Sequence, residues 1–490
     1  MHTMNMGYTL DNMIGIALEL SAEKDFSKLM QKILTEAMRI THCDAGTVYI
    51  KEKDQLDFYT VCTKSKGVFA VRGDSSMPPV PLTRKHVCAC AAMDNVKINI
   101  DDVYNSPEYD FAGAQRYDKL NDYRTRSMLV IPMADEKDIV IGVLQLINSL
   151  DEEGNAIPFD PGYEDVVSAL ASLAAVSINN HKLAQEVTDL LHSFVSVMVD
   201  AIEARSAYNA THTRSMVGYA EKFIDWLADT GNEWQFDEDK RDAFLMSVWL
   251  HDIGKLMIPQ DILDKPDRLG SRKDSVKSKL EITKLEAKVK ALSDKENEEK
   301  YNEKVELLDK AWELIEYANT AGYIPDDTAG LLAKYAKIEC TTPYGKTENL
   351  LTESELEAIS IQKGTLTAKE RGQVEKHVSY TISMLKKMGF GGIYENVPTW
   401  AGEHHEYLNG AGYPYKLTGD ELSPESRLLT VIDIYDALTA EDRPYKPPMP
   451  SDRAFGILDM MCSEGKIDRR ILDMFRESGA WQKEIAANKL

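Results

Sequence analysis

The chain has 490 residues, 43% of them apolar, enough for two or three domains with cores of their own. Its 57 Lys and Arg stand against 80 Asp and Glu, a net charge of −23. That balance excludes indiscriminate binding to a nucleic acid polymer or an anionic membrane, so an anionic ligand must be met by a local cationic site.

Six cysteines without paired metal spacing, Cys88 and Cys90 being separated by one residue, point to reduced thiols. The N-terminal MHTMNMGYTLDNM has no basic stretch, and no apolar run reaches the roughly 18 residues of a membrane span. A soluble cytoplasmic protein is the expectation.

Residues 8–180 alternate helix and strand signals. Leu29, Ile33, Ala37 and Ile40 form an i, i+4 stripe that predicts a helix over 26–40. Strands are expected over 46–50, 57–63, 128–133 and 139–147, which together make an α+β domain. The segment NIDDVYNSPEYDFAGAQRYDKLNDYRTRSMLVIPM, followed by DIVIGVLQLINS, resembles a GAF sensor domain. Of the signature carried by its cyclic-nucleotide-binding members, Asn148, Phe159 and Glu164 are present, but Ser149 and Tyr163 replace a Lys and an Asp. The resemblance implies a small-molecule ligand without identifying it. His86, Cys88 and Cys90 read as the edge of a helix or strand rather than a metal cluster.

From Ala169 to Ala201 the apolar spacing alternates four and three: Ala169, Leu173, Val176, Asn180, Leu183, Val187, Leu190, Phe194, Val197 and Ala201. A heptad of this length predicts a coiled-coil helix over 166–203 that joins two domains in a parallel homodimer, with Asn180 as the polar residue that sets its register. The competing reading is one long amphipathic helix lying on its own domain.

The chemistry lies beyond it. EHHEYLNGAGYP, residues 403–414, sets His404, His405 and Glu406 before a glycine-rich turn. Two adjacent imidazoles are poor core material but good transition-metal ligands. WLHDIGK places His251, Asp252 and Lys255 after the apolar run Ala243–Leu250. His212 in NATHTRS, His377 in VEKHVSY and Asp433 in VIDIYDAL complete seven imidazole and carboxylate donors, and Asp433 sits in an apolar run where a buried carboxylate needs a cation or several donors.

HDIGK, HHEYLNGAGYP and DIYDALTAEDRPYK together resemble the HD-GYP family of metal-dependent phosphodiesterases over residues 195–480. The resemblance implies an all-α domain with two divalent transition metals, iron or manganese favoured and zinc or nickel compatible. His212, His251, Asp252 and Asp433 would hold the first and His377, His404 and His405 the second, with Asp252 bridging. Two metals about 3.5–4 Å apart can share a hydroxide and clamp a phosphodiester, so no serine or cysteine nucleophile is needed. Asp252 and Lys255 would be catalytic, while Lys255, Gly412, Tyr413, Pro414, Arg443 and Lys446 would meet the substrate, the cations at its phosphates. The implied substrate is cyclic di-GMP, cut to linear pGpG with onward cleavage to GMP left open. The alternatives are another cyclic dinucleotide such as cyclic GMP-AMP, or a sensor without catalysis. Family members with a third metal carry a Glu where this chain has Tyr208, so two metals are expected.

The chain departs from that family over residues 270–360. Ile282, Leu285, Val289 and Leu292, then Val305, Leu308, Trp312 and Ile315, flank a polar break at Asp294. The pattern predicts a helical hairpin inserted into the catalytic domain, its interleaved charges solvated.

Overall fold

The computed structural model describes residues 10–23, 25–71, 78–205, 211–440 and 448–482. The chain divides into two units, Met1–Leu191 and His192–Leu490.

In the first unit, helices α1 (Leu10–Ala22) and α2 (Phe26–Ile40) precede strands β1 (Cys43–Glu52), β2 (Gln55–Thr63), β3 (Val68–Val71) and β4 (Val80–Pro81). Then come α3 (Val87–Asp94), β5 (Ile98–Ile100), α4 (Ala112–Asn121), β6 (Met128–Ala134), β7 (Val140–Leu150), β8 (Ala156–Ile157) and α5 (Gly162–Arg205). The strands form one antiparallel sheet of order β3-β2-β1-β7-β6-β5, with β4 beside β2 and β8 beside β7. The two-residue period of the strands builds a core on each face. Val48, Ile50, Leu129, Ile131, Leu144 and Leu146 pack with α2 and the first turns of α5, whereas Tyr49, Met128, Val130 and Val143 face α3 and the loop before α4.

Helix α5 presents two different faces. Val167, Leu170, Ala171, Ala174 and Ile178 are buried in the sheet's core, and Val195, Val199 and Ile202 are buried farther along. The heptad positions lie elsewhere on the helix: Val176, Leu183, Val187, Leu190, Phe194 and Val197 are each at least 49% exposed.

The second unit is mostly helical. It contains α6 (His212–Asp229), α7 (Glu238–Leu250), α8 (Gln260–Leu263), α9 (Lys273–Ser293), α10 (Glu298–Thr320) and α11 (Asp326–Tyr335), then the hairpin β9 (Glu339–Thr341) and β10 (Thr347–Asn349). Helices α12 (Glu353–Ile359), α13 (Ala368–Met388), α14 (Val397–Gly402), α15 (Pro424–Thr439), α16 (Ser451–Ser463) and α17 (Arg469–Ser478) complete it.

Between the HD motif and His377 the structure is richer than a hairpin. Helices α9 and α10 do pair, but α11, α12 and the β9–β10 ribbon add to them around a separate core that includes Val276, Leu280, Leu308, Ile315, Leu332 and Leu350. The buried stripe of α9 is also not the one that the apolar residues predict. Val276, Leu280, Thr283, Ala287 and Ala291 face inward, while Leu285, Val289 and Leu292 are exposed. Lys279 is buried too, its ammonium on Glu355 at 3.2 Å, and that pairing favours the more polar face. Arg268, 1% exposed, ties the ends of this segment together: it donates to the carbonyls of Ala318 and Ala321 at 2.7 and 2.6 Å and to Ile361 at 2.7 Å.

Candidate metal centre

Five segments deliver the donors to one place in the second unit. His212 is the first residue of α6, and His251 follows α7 directly. Asp252 precedes a 3-10 turn over Ile253–Met257 that carries Lys255. His377 lies within α13, His404 and His405 follow α14, and Asp433 lies within α15. Three overlapping groups, His377–His404–His405, His212–His251–Asp433 and His251–Asp252–His404, each bring one donor atom per residue within 4.8 Å of the others.

Backbone packing locks this arrangement. Thr381 Oγ1 donates to the His251 carbonyl at 3.0 Å and accepts from Gly254 N at 2.9 Å, fixing α13 against the HD turn. The approach is so close that a Cβ on Gly254 would fall 1.9 Å from the His377 carbonyl oxygen. In the loop after the His pair, Glu406 is buried and accepts from the amides of Tyr415, Lys416 and Leu417 at 2.6, 3.1 and 3.0 Å. It therefore shapes the loop, a role that its place beside two histidines does not announce. A Cβ on Gly412 would stand 2.5 Å from Glu406 Cα and Tyr407 N, so only glycine lets the loop close against the His pair. Tyr413 lies beside His405, ring centroids 4.9 Å apart, and Pro414 follows it. Tyr208, Arg443 and Lys446 lie outside the described residues.

Hydrogen bonds fix the ring orientations. Nδ1 of His251, His377 and His404 donates to the carbonyls of Val248, Val374 and Ala401, three residues earlier in each case, at 2.7, 2.6 and 2.7 Å. A carbonyl only accepts, so each ring must carry its proton on Nδ1 and turn the lone pair of Nε2 inward. Those three Nε2 atoms and Asp252 Oδ1 are buried without a hydrogen-bond partner among the described residues. His251 Nε2 is 3.2 Å from Asp252 Oδ2, and His377 Nε2 is 3.3 Å from Oδ1. Lone pairs facing lone pairs at that range repel unless a cation lies among them, so the donor set fits metal ions.

Charge follows the same logic. Burial holds His377 down to about 4, His404 well below the usual imidazole range and His405 below it, keeping all three neutral and ready to ligate. Burial would raise the Asp252 carboxyl, but the Lys255 ammonium, 2.5 Å away, and the neighbouring imidazoles hold it well below the carboxylate range. His212 goes the other way. Burial opposes its charge, yet hydrogen bonds to Asp433 and Asp436 lift it to about 10. Asp436 escapes notice in the sequence. It is buried one turn beyond Asp433 and accepts from His212 Nδ1 at 2.6 Å; the i, i+3 spacing of two aspartates on an apolar helix is the signal that would have found it.

In the first unit, the β-sheet face toward α3 and α4 encloses a cavity of about 460 Å³ lined by Tyr49, Phe58, Phe111, Tyr117 and Tyr123 among others. Asn148 accepts from Arg126 N and donates to Tyr123 and the Arg124 carbonyl, Phe159 is core, and Glu164 accepts from Asn99. These signature residues hold the fold together. Cys88 is buried and its thiol is pushed up to about 11 by that burial, which makes it a poor metal ligand at neutral pH.

Residues 25–178 match the GAF domain family and residues 353–471 the HD domain family. The chain joins a GAF domain to an HD domain. The HD match begins after His251 and Asp252, with the α9–α11 segment between. Over 102 residues the chain is 41% identical to the 3'3'-cGAMP-specific phosphodiesterase 3 of Vibrio cholerae serotype O1, 21% of each chain. It is 33% identical over 121 residues to phosphodiesterase 1 of that name and organism, covering 24% of this chain and 26% of the relative. With the cyclic di-GMP phosphodiesterase response regulator RpfG of Xanthomonas campestris it shares 28% over 132 residues, 26% of this chain and 33% of the relative. The matches thus span about a fifth to a third of these relatives' lengths. The crystal structure of a GAF domain/HD domain protein from Geobacter sulfurreducens matches 34% of this chain and 98% of that chain at 13% identity. The TM-score of that match is 0.25. No helix among the described residues is long and apolar enough to cross a membrane.

Proposed function

We propose that the HD domain is a metal-dependent phosphodiesterase that hydrolyses cyclic di-GMP to linear pGpG, and that the GAF domain regulates it. The observation that carries this reading is the convergence of seven imidazole and carboxylate side chains with four buried atoms that have no hydrogen-bond partner among the described residues. The likeness of the HD and GYP motifs to the HD-GYP family, and the activities for which the relatives are named, supply the substrate class.

Two divalent ions would be held, one by His212, His251, Asp252 and Asp433 and one by Asp252, His377, His404 and His405. The mixed donor set suits iron, manganese, zinc or nickel, and the family resemblance favours iron or manganese. Bound together, such ions supply Lewis acidity and an activated water at neutral pH. The chain's own residues do the rest. Lys255, held on Asp252, neutralises a phosphate oxygen. Gly412 lets the loop backbone approach the ligand, and the half-buried Tyr413 offers a ring to stack on guanine, with Pro414 fixing its turn. Arg443 and Lys446 are assigned the remaining phosphate contacts.

The exposed heptad face of α5 supports a parallel homodimer through that helix. The aromatic cavity of the GAF domain supports a small-molecule ligand there.

A second reading has one specific support: the 41% identical relative is named for 3'3'-cGAMP. The test is to load stripped full-length protein with defined metals and resolve the products from cyclic di-GMP, 3'3'-cGAMP and pGpG by chromatography. Fastest consumption of cyclic di-GMP is expected. Preference for 3'3'-cGAMP would establish the second reading, and inertness toward every cyclic dinucleotide with two metals bound would refute both.

A further inference from the structure

The four histidines whose Nδ1 position is fixed are not held alike. For His251, His377 and His404 the partner is a neutral backbone carbonyl, whereas for His212 it is the carboxylate of Asp436, 2.6 Å away. Asp436 is only 2% exposed, so solvent does little to screen its charge. Helix α15 thus delivers two carboxylates one turn apart. Asp433 reaches the donor cluster directly, with Oδ1 3.4 Å from His212 Nε2, and Asp436 grips the same ring from behind.

We infer that the two metal positions are chemically unequal, and that Asp436 makes the one at His212 the tighter. The His212–His251–Asp433 group contains an anionic donor of its own, and the His377–His404–His405 group is three neutral imidazoles. Asp252 lies against both, 3.7 Å from His212 Nε2 and 3.3 Å from His377 Nε2. A divalent cation is therefore drawn more strongly to the first group. A carboxylate on the far nitrogen adds to this by drawing the ring proton toward itself, which raises the basicity of Nε2; such outer partners are worth about 10–100-fold in metal affinity. Among the described residues the His377 side has no such bond: both of its carbonyl-held rings turn their Nδ1 to the backbone, and His405 Nδ1 stands 3.6 Å from Asp433 Oδ2, beyond hydrogen-bond range.

This inference rests on reading the cluster as a metal centre and involves no substrate. The plain alternative is that Asp436 only fastens α6 to α15. Asp436→Asn separates the two, because the amide oxygen still accepts from Nδ1 and fills the same space but carries no charge.

Metal-free full-length protein is dialysed against graded free Mn²⁺, and bound manganese per chain is counted by elemental analysis, with circular dichroism to check folding. The wild type should fill in two separated steps. In Asp436→Asn the tighter step should weaken by about 10–100-fold while the weaker one stays where it was. His377→Ala should remove the weaker step alone, a result that stands whether or not the Asn variant folds. Equal steps in the wild type, an unmoved tight step in folded Asp436→Asn, or loss of the tighter step in His377→Ala would each overturn the inference. Equal steps with intact dinucleotide hydrolysis would leave the proposed activity standing, and unequal steps without hydrolysis would do the reverse.

Discussion

Gly254 is where the smallest change should do the most damage. An added methyl group would lie 1.9 Å from the His377 carbonyl oxygen, 2.5 Å from Thr381 N and 2.8 Å from Thr381 Oγ1. Ordinary contact begins near 3.4 Å, so Gly254→Ala demands about 1.5 Å of separation between the HD turn and α13. Two of the three obstructing atoms are backbone, so no rotamer change relieves the clash. Overpacking of this kind costs about 1–3 kcal/mol, which the unit can survive. The site cannot, because Asp252 and His377 lie on opposite sides of the gap, and a misplacement of about 1 Å costs on the order of 10²-fold in rate. The expected outcome is a folded protein with a modestly lowered melting point, fewer than two metals per chain and turnover reduced at least about 100-fold. The assay pairs thermal unfolding with elemental analysis and steady-state hydrolysis. A variant that keeps both metals and near-native turnover would show that α13 and the HD turn do not set the site's geometry.

Asp252→Ala or His404→Ala should abolish hydrolysis with folded spectra, since the two-metal arrangement is worth several kcal/mol of barrier; near-native rates in both would unseat the site. Elemental analysis should find two metals per chain and early product should be pGpG, with three tight metals or immediate GMP counting against this. In metal-free protein the buried His377, held down to about 4, is charged only after unfolding. Stability should therefore fall as pH drops from about 6.5 toward 4, and His377→Gln should flatten that slope in a pH series of thermal melts. His212, lifted to about 10, has the opposite sign: its contribution is full below about 6.5 and lost as pH rises through 10, so His212→Gln should flatten the alkaline side. Asn180→Leu should strengthen self-association while loosening its register and should change turnover with no residue near the metals altered. Light-scattering mass and rates decide it, an unchanged dimer with an unchanged rate sinking the coupling.

What the sequence shows and what it hides have physical reasons. The candidate donors are legible because buried imidazoles and carboxylates are costly without a cation: His251 and Asp433 mark themselves at the end of or within apolar runs, and His404 and His405 by their adjacency. Asp436 shows only as a second aspartate one turn beyond Asp433, with nothing local to mark its partner His212, and Glu406 hides because its partners are three loop amides. The strands of the GAF domain follow from their two-residue alternation, while its cavity depends on where distant aromatic rings meet. On α9 the apolar stripe misleads: Leu285, Val289 and Leu292 outweigh Ala287 and Ala291 on any hydrophobicity scale, yet small residues and the Lys279–Glu355 pair decide which face packs.

The clasp made by Arg268 bears on how such a centre can assemble at all. His251 and His377 stand far apart in the chain, and a flexible connection of that length would have to be closed before either could help bind a metal. Arg268, at the start of the intervening segment, instead bonds through one buried guanidinium to the carbonyl of Ile361 at its end and to that of Ala321 midway, and the segment has its own core. Once that piece has formed, the rest of the HD domain meets it as a short bridge, and because closure entropy grows by only about 0.6 kcal/mol per doubling of loop length, its size matters little. Topologically the segment is a bead threaded on the domain rather than a length of its string. Such a bead can grow, shrink or be exchanged without disturbing the geometry on either side, provided the knot at Arg268 holds.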